Sequence, residues 1–428
     1  MADVPGTAGP QAGAARPAPG LRSAGLQRAP APTEFVVAAI VMTMSSAFGQ
    51  TYFIAVFAPW LKADLALSDG GFGTLYSLGT IASACVLMWG GKIADRFRIR
   101  GLAVLALLAL AAMCMGMSQV RSPWLLLPIL FGLRLFGQGA MGHLALTGVG
   151  RWYIKRRGRM MSLAVLGFPV SEAFMPATAV ALMAAIGWRQ TWLVGAFVLC
   201  AVSVPLTLAL LRREPRHDHT ETGGEAQGIG QKQWTRGEVL RRPEFFAALV
   251  AVVAPSFVMT GIFFHQAYLV DDKGWTLSWF AGWFPVYASV SVVTALSTGW
   301  LIDRFGSIRL LPFFLLPMAG AVTVLALSAS PWSVPVFMAL GALTNGGAST
   351  LLGALWAELF GTRHLGAIRS VAFAAQVIAS ALAPGLMGVL LDLGAPLALQ
   401  YLAMVAYALA AAACLGVLMP RLRRLARF

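Results

Sequence analysis

Apolar residues run almost unbroken through about twelve stretches of the chain. They lie near residues 35–59, 72–94, 101–118, 124–149, 160–186 and 191–211, then 245–270, 279–302, 310–329, 333–357, 367–391 and 397–419. Each approaches the length of about 20 residues that a helix needs to cross the hydrocarbon core of a bilayer. Within a run the apolar residues follow one another and do not alternate with period two, so the pattern predicts spanning helices and not a barrel. Polar residues collect between the runs. Residues 1–33, rich in Ala, Pro, Gly and Arg, cannot build a core and read as a disordered tail. No signal-peptide cleavage pattern precedes the first run, which is also longer than an h-region. The pattern divides the chain into this tail, a first half over 34–211, a polar linker over 212–243, a second half over 244–420 and a basic tail over 421–428.

Composition agrees. Of the 428 residues, 58% are hydrophobic and 11% charged, against about 25% charged in soluble domains, which predicts an all-α integral membrane protein. The net charge of +15 raises a nucleic-acid reading, and the placement of the bases removes it. If residue 1 is cytoplasmic, Lys and Arg fall in the tail, in the loops after runs 2, 4, 6, 8 and 10, and at the chain end; only Lys62, Arg121, Arg189 and Lys273 fall on the other side and Arg134 within a run. By the positive-inside rule both termini are expected in the cytoplasm, and the composition suits a bacterial inner membrane. Cys85, Cys114, Cys200 and Cys414 each sit inside an apolar run and read as small buried hydrophobes, with no metal-ligand or disulfide spacing.

One charged phrase occurs twice between apolar runs. "GGKIADRFRIR" covers Gly90 to Arg100 and "GWLIDRFGSIR" covers Gly299 to Arg309. A constant offset of 208 residues maps Gly91, Asp95, Arg96 and Phe97 onto Gly299, Asp303, Arg304 and Phe305, and also Phe72 onto Phe280, Gly158 onto Gly366, Ser162 onto Ser370 and Pro176 onto Pro384. The chain therefore reads as two parallel six-helix halves, an architecture in which transporters rock one half against the other around a central cavity. An acid in such a loop can accept from the free N–H groups of a helix that starts on the same side; a plain topology anchor is the other reading.

Two six-span halves with Gly-x-x-x-Asp-Arg between the second and third span of each resemble the major facilitator superfamily, and the resemblance runs from about Glu34 to Pro420. "RWYIKRRGR" after run 4 and "GWRQTW" at Gly187 to Trp192 resemble its monocarboxylate-porter branch. The resemblance implies that Asp95, Arg96 and Arg100, with Asp303, Arg304 and Arg309 as the second copy, clasp a helix end of the other half and release it as the inner gate opens. Arg98 stands where the family pattern has Gly. Members of the monocarboxylate branch place a basic residue in span 8 or 11, and this chain has none in the interior of either. A monomer is what the superfamily implies.

A charge at the bilayer centre costs roughly 2.5–3.5 kcal/mol on insertion scales and needs a partner or a cavity. Arg134 lies about ten residues into run 4 and Glu172 about twelve into run 5, which at about 1.5 Å per residue brings both near the midplane. Arg134 also resembles the span-4 arginine that the superfamily ties to coupling. Gln138, at i+4 from Arg134, shares its face of an α-helix. Two readings stand: Arg134, Gln138 and Glu172 line the cavity with Glu172 carrying a proton, or Arg134 and Glu172 form a static buried pair. In "GIFFHQAYL", His265, Gln266 and Tyr268 sit among aromatics, where they either bind an organic solute or join helices by hydrogen bonds. Gln50, Tyr52, Asn345 and Gln376 are fainter versions of the same choice, and His143 reads as a packing residue.

"GQGAMG" at Gly137 to Gly142 spells a dinucleotide fingerprint, but it lies inside an apolar run and opens no helix after a strand. No phosphate-binding loop, metal-ligand set or nucleophile elbow is present, so no ATP-driven engine, cofactor or enzyme activity is expected. The function expected is secondary active transport of a small organic solute, an organic anion or aromatic compound, in symport with protons. Efflux of amphiphilic drugs is the alternative. A transporter-like sensor would need a signalling domain, and the linker is too short and polar for one.

Overall fold

The computed structural model describes residues 33–90, 97–153, 157–214, 233–361 and 364–425. They are mostly helical, with no strand among them. Ten helices are long and apolar enough to cross a membrane, and an eleventh span is formed by a bent pair. A shorter apolar helix, Leu316–Leu327, takes the ninth place. In chain order the spans are Glu34–Gly49 with Thr51–Leu65 (span 1), Asp69–Met88 (2), Ile99–Gln119 (3), Pro123–Trp152 (4), Arg159–Ile186 (5), Trp188–Leu210 (6), Pro243–Phe264 (7), Leu277–Phe305 (8), Leu316–Leu327 (9), Ser333–Phe360 (10), Leu365–Asp392 (11) and Leu397–Arg424 (12).

The departures from uniform helices have local causes. Span 1 bends by 45° at Gln50, whose backbone is extended. Span 7 ends at His265, and a separate helix, Gln266–Asp272, follows. Span 9 is short because Pro312 and Pro317 remove helical N–H donors where the pattern alone predicts a helix from 310. Span 4 passes through a π-helical segment over Leu133–Met141. That wider turn changes the register, so Gln138 is not stacked over Arg134 as an α-helical i+4 pair would be. The cysteines also differ from the sequence expectation: Cys114 is buried, but Cys85, Cys200 and Cys414 are on the protein surface.

The repeat reappears in the packing. Span 3 packs on 6 as 9 packs on 12; span 2 on 4 as 8 on 10; span 1 on 5 as 7 on 11. Spans 1, 2 and 5 of the first half meet 7, 11 and 8 of the second. The contact between spans 2 and 11 is the most extensive between any two helices described. The seam between halves is thus built from the spans that carry Gln50, Tyr52, Glu172, His265 and Gln376. The side of the molecule that bears the Arg-rich loops is its basic face, and the other side is the opposite face.

Candidate functional site

The break in span 1 creates the first part of the site. A helix that stops inside a membrane leaves carbonyls without donors. Arg134, 1% exposed, supplies one: its Nη1 donates to the Gly49 carbonyl at 2.9 Å. Its Nε donates to Thr80 Oγ1 at 3.1 Å, and Thr51 Oγ1 lies 3.5 Å from Nη1. The guanidinium carbon sits 5.1 Å from the centroid of the Tyr76 ring, and the Tyr76 and Thr51 hydroxyls bond each other at 2.7 Å. Close packing makes this reach workable: a Cβ on Gly137 would come within 2.7 Å of the Gly49 Cα. Every partner of Arg134 is neutral, and no ion pair joins it to Glu172 among the described residues.

Glu172 occupies a different setting. It is half-buried in span 5 and makes no hydrogen bond or ion pair among the described residues. Span 5 packs against span 8 of the other half and against the segment of span 1 that carries Tyr52, which places Glu172 at the seam. The neighbouring Ser171 hydroxyl bonds the Tyr52 hydroxyl at 3.2 Å. Around them runs a chain of rings from both halves: Tyr52 to Phe284 (6.0 Å between centroids), Phe284 to Phe263 (5.1 Å) and Phe263 to Tyr287 (5.2 Å). The 208-residue offset pairs Tyr52 with Thr260 and Glu172 with Ser380, and Thr260 bonds Ser380 at 2.9 Å. The same two positions that tie span 7 to span 11 in one half hold a tyrosine and a free acid in the other.

At the break in span 7, Gln266 is fully buried and its Nε2 donates across the seam to the Tyr52 carbonyl at 3.0 Å. His265 is 3% exposed, and its Nδ1 is 3.0 Å from the Gly261 carbonyl, which also accepts from the His265 backbone N–H. His265 Nε2 and Gln266 Oε1 are buried without a partner. Tyr268 lies nearer the opposite face, under the Lys62 ammonium at 5.8 Å. Gln50, at the bend itself, reaches only Ser46 at 3.4 Å. Gln138 and Gln376 are half-buried, Asn345 is exposed, and none of the three makes a side-chain hydrogen bond among the described residues. The structure therefore brings Tyr52, Glu172 and Gln266 to one seam, keeps Arg134 within the first half between spans 1 and 2, and leaves Gln138, Asn345 and Gln376 without contacts that define a role. Tyr76, which meets Phe264 of the other half, and Tyr287 join the seam, and Thr80 joins the Arg134 cluster, although the sequence pattern does not single them out, because their positions follow from helix facing alone.

On the basic face, Asp95 and Arg96 lie outside the described residues. In the second copy, span 8 runs to Phe305, and Gly306 turns the chain at a φ of 80° that suits glycine. Asp303, Arg304 and Arg309 are exposed, with Arg304 lying over Trp300 and Phe305. The helix that begins at Ser307 is capped by Glu358 from the end of span 10, which accepts from the Ser307 N–H at 2.8 Å and from its hydroxyl. The start of span 3 is capped in the same manner by Glu214, past the end of span 6, which accepts from the N–H groups of Ile99 at 2.9 Å and Arg100 at 3.0 Å. Neither glutamate stands out in the hydropathy pattern; the available signal is a lone acid at the basic end of an apolar run, in "LRREP" and "WAELF".

Two six-helix bundles, related by a repeat and meeting at a seam with buried polar groups, define the class: a multi-pass helical membrane transporter fold. The sequence matches the family model of the Major Facilitator Superfamily over residues 39–384, and the chain belongs to that superfamily. Among solved structures it is similar to a bacterial homolog of the human lysosomal transporter Spinster in an inward-facing, occupied conformation, with a TM-score of 0.70 at 17% identity, covering 92% of this chain and 97% of that one. It is also similar to a mutant of the nucleoside transporter NupG, with a TM-score of 0.63 at 12% identity over 91% and 99% of the two chains. No curated protein sequence matches the chain.

Proposed function

We propose that the chain is a secondary active transporter that moves a small organic solute by alternating access, with protons as the coupling ion and Glu172 as their carrier. The observation that carries this reading is the state of Glu172: an acid within a span, half-buried at the seam between halves, with no hydrogen bond or ion pair to hold it among the described residues. Ionisable groups inside membranes are costly and mark ion or substrate pathways. A purely structural acid would be paired; this one is free to trade a proton for another partner.

The rings of Tyr52, Phe263, Phe284 and Tyr287 support an organic solute with an aromatic or amphiphilic body. The charge of the solute turns on which deep ion meets it. Arg134 would have to leave neutral oxygens that already hold it in order to meet an organic anion. Glu172 needs no such release, and this favours the second reading, exchange of a cationic amphiphile for protons in drug-type efflux. The distribution of Lys and Arg supports cytoplasmic termini, and the Ala-, Gly- and Arg-rich composition a bacterial inner membrane.

The test is transport in liposomes holding the purified protein and an internal pH dye, with organic anions, cations and neutral aromatics applied outside. The reading expects at least one class to move protons with the wild type and not with Glu172→Gln. Equal proton movement in both would remove Glu172 from the coupling. A signal from organic cations alone, dissipating an imposed gradient, would select the efflux form.

A further inference from the structure

The contacts that join the two halves gather on the opposite-face side of the seam. Besides Gln266 to Tyr52, they include the stack of Phe72 on Phe264 at 5.0 Å, and the Gly385 N–H donating to Ser77 Oγ at 3.1 Å. The densest part is the antiparallel pair of spans 2 and 11, where the end of one helix lies beside the start of the other. There Asp392, at the C-terminal end of span 11, accepts from the N–H of Gly70 in the first turn of span 2 at 3.0 Å. A carboxylate from one half thus satisfies a free N–H, at the positive end of the helix dipole, in the other half. Asp69 beside it does not compete for that role, because Lys62 takes it in an ion pair at 2.6 Å.

The helices approach so closely that side chains would not fit. A Cβ on Gly73 would collide with the Pro384 carbonyl, one on Gly388 with the Asp69 carbonyl, and one on Gly70 with the Asp392 carboxylate. Separated helices would impose no such demand. Asp392 is exposed, so water can replace it when the helices part.

We propose that Asp392 is the latch of the opposite face: it caps the N-terminus of span 2 while that face is closed and releases it when the face opens. The glycine faces of spans 2 and 11 form the surface that closes beneath it. This inference rests on the alternating-access reading but not on the identity of the solute or of the proton carrier. Asp392 touches no substrate in this scheme; it sets the balance between the two conformations.

The test measures conformation and needs neither solute nor proton gradient. The four native cysteines are replaced by serine or alanine, and spin labels are attached through Ala63→Cys and Ala398→Cys on the opposite-face ends of the two halves. The distance distribution is then recorded in lipid nanodiscs. The wild type is expected to favour the short distance. Asp392→Ala should raise the open-to-closed ratio by roughly 2- to 30-fold, the range of a carboxylate on a helix N-terminus, with Asp392→Asn between the two. Gly73→Leu should force the long distance. If Asp392→Ala does not fold, the Asp392→Asn shift decides. An unchanged distribution in the Asp392 variants beside an opened Gly73→Leu would overturn the latch. No opening in Gly73→Leu would overturn the closing surface as well. Because a failed transport assay with Glu172→Gln changes neither distance, the two proposals fail separately.

Discussion

The guanidinium of Arg134 is joined to the carbonyl of Gly49 at 2.9 Å, at the point where span 1 breaks. The one fully buried Lys or Arg among the described residues therefore serves a gap in a neighbouring backbone. Gly49 ends a short 3₁₀ segment, Gln50 is extended, and Thr51 restarts the helix. The side chain of Arg134 reaches both sides of that gap, through the Gly49 carbonyl and the Thr51 hydroxyl.

Arg134→Met should therefore destabilise the fold even without substrate. It leaves the Gly49 carbonyl and the Thr80 hydroxyl to find new donors, at about 1–3 kcal/mol for each group left unpaired. The melting temperature in detergent is expected to fall clearly, and Arg134→Lys to recover only part of the loss, because an ammonium cannot reproduce the planar fork. A melting temperature equal to the wild type would show that the break holds without the arginine.

Glu172→Gln should behave in the opposite way. No hydrogen bond or ion pair among the described residues is lost, and the neutral amide lightens the cost of placing a charge inside the membrane. The melting temperature is expected to match or exceed that of the wild type, while the pH dependence of transport flattens. A large loss of stability would mean that the carboxylate has a structural partner.

Gln266→Met probes the seam. It removes the bond to the Tyr52 carbonyl together with a buried oxygen that has no partner. Losing one neutral bond costs about 1 kcal/mol and removing an unsatisfied oxygen returns a similar amount. The expected outcome is little change in melting temperature but faster labelling of a cysteine placed at Tyr52, as the halves separate more readily.

The glutamate caps give a local prediction. Glu358→Gln weakens two bonds at the start of the helix after Gly306, and Glu214→Gln weakens two at the start of span 3. Each should cost about 1–2 kcal/mol. Hydrogen exchange should accelerate at Ser307–Leu310 in the first variant and at Ile99–Leu102 in the second, with the other site unaffected. Exchange that rises equally at both would point to global loosening.

The apolar periodicity by itself determined the spans, because a membrane-crossing helix must bury its backbone bonds locally and shows this as a continuous run. The 208-residue offset determined the two halves in the same way, since repeated helices keep repeated contacts: Phe72 and Phe280 are both fully packed, as are the paired span contacts. The deep residues Arg134, Glu172 and Gln266 were legible as exceptions to that pattern. Their partners were not. Only the tertiary structure decided that Arg134 meets the Gly49 carbonyl and not Glu172, because a helix break exposes a backbone acceptor that no side-chain pattern announces. It likewise decided that Glu358 and Glu214 cap helix starts and that Asp392 reaches Gly70, since a free N–H belongs to any residue that happens to begin a helix. Long runs of like residues reveal local structure; single contacts between distant segments depend on how closely two backbones approach, and here glycines at 49, 73, 137 and 388 set that approach.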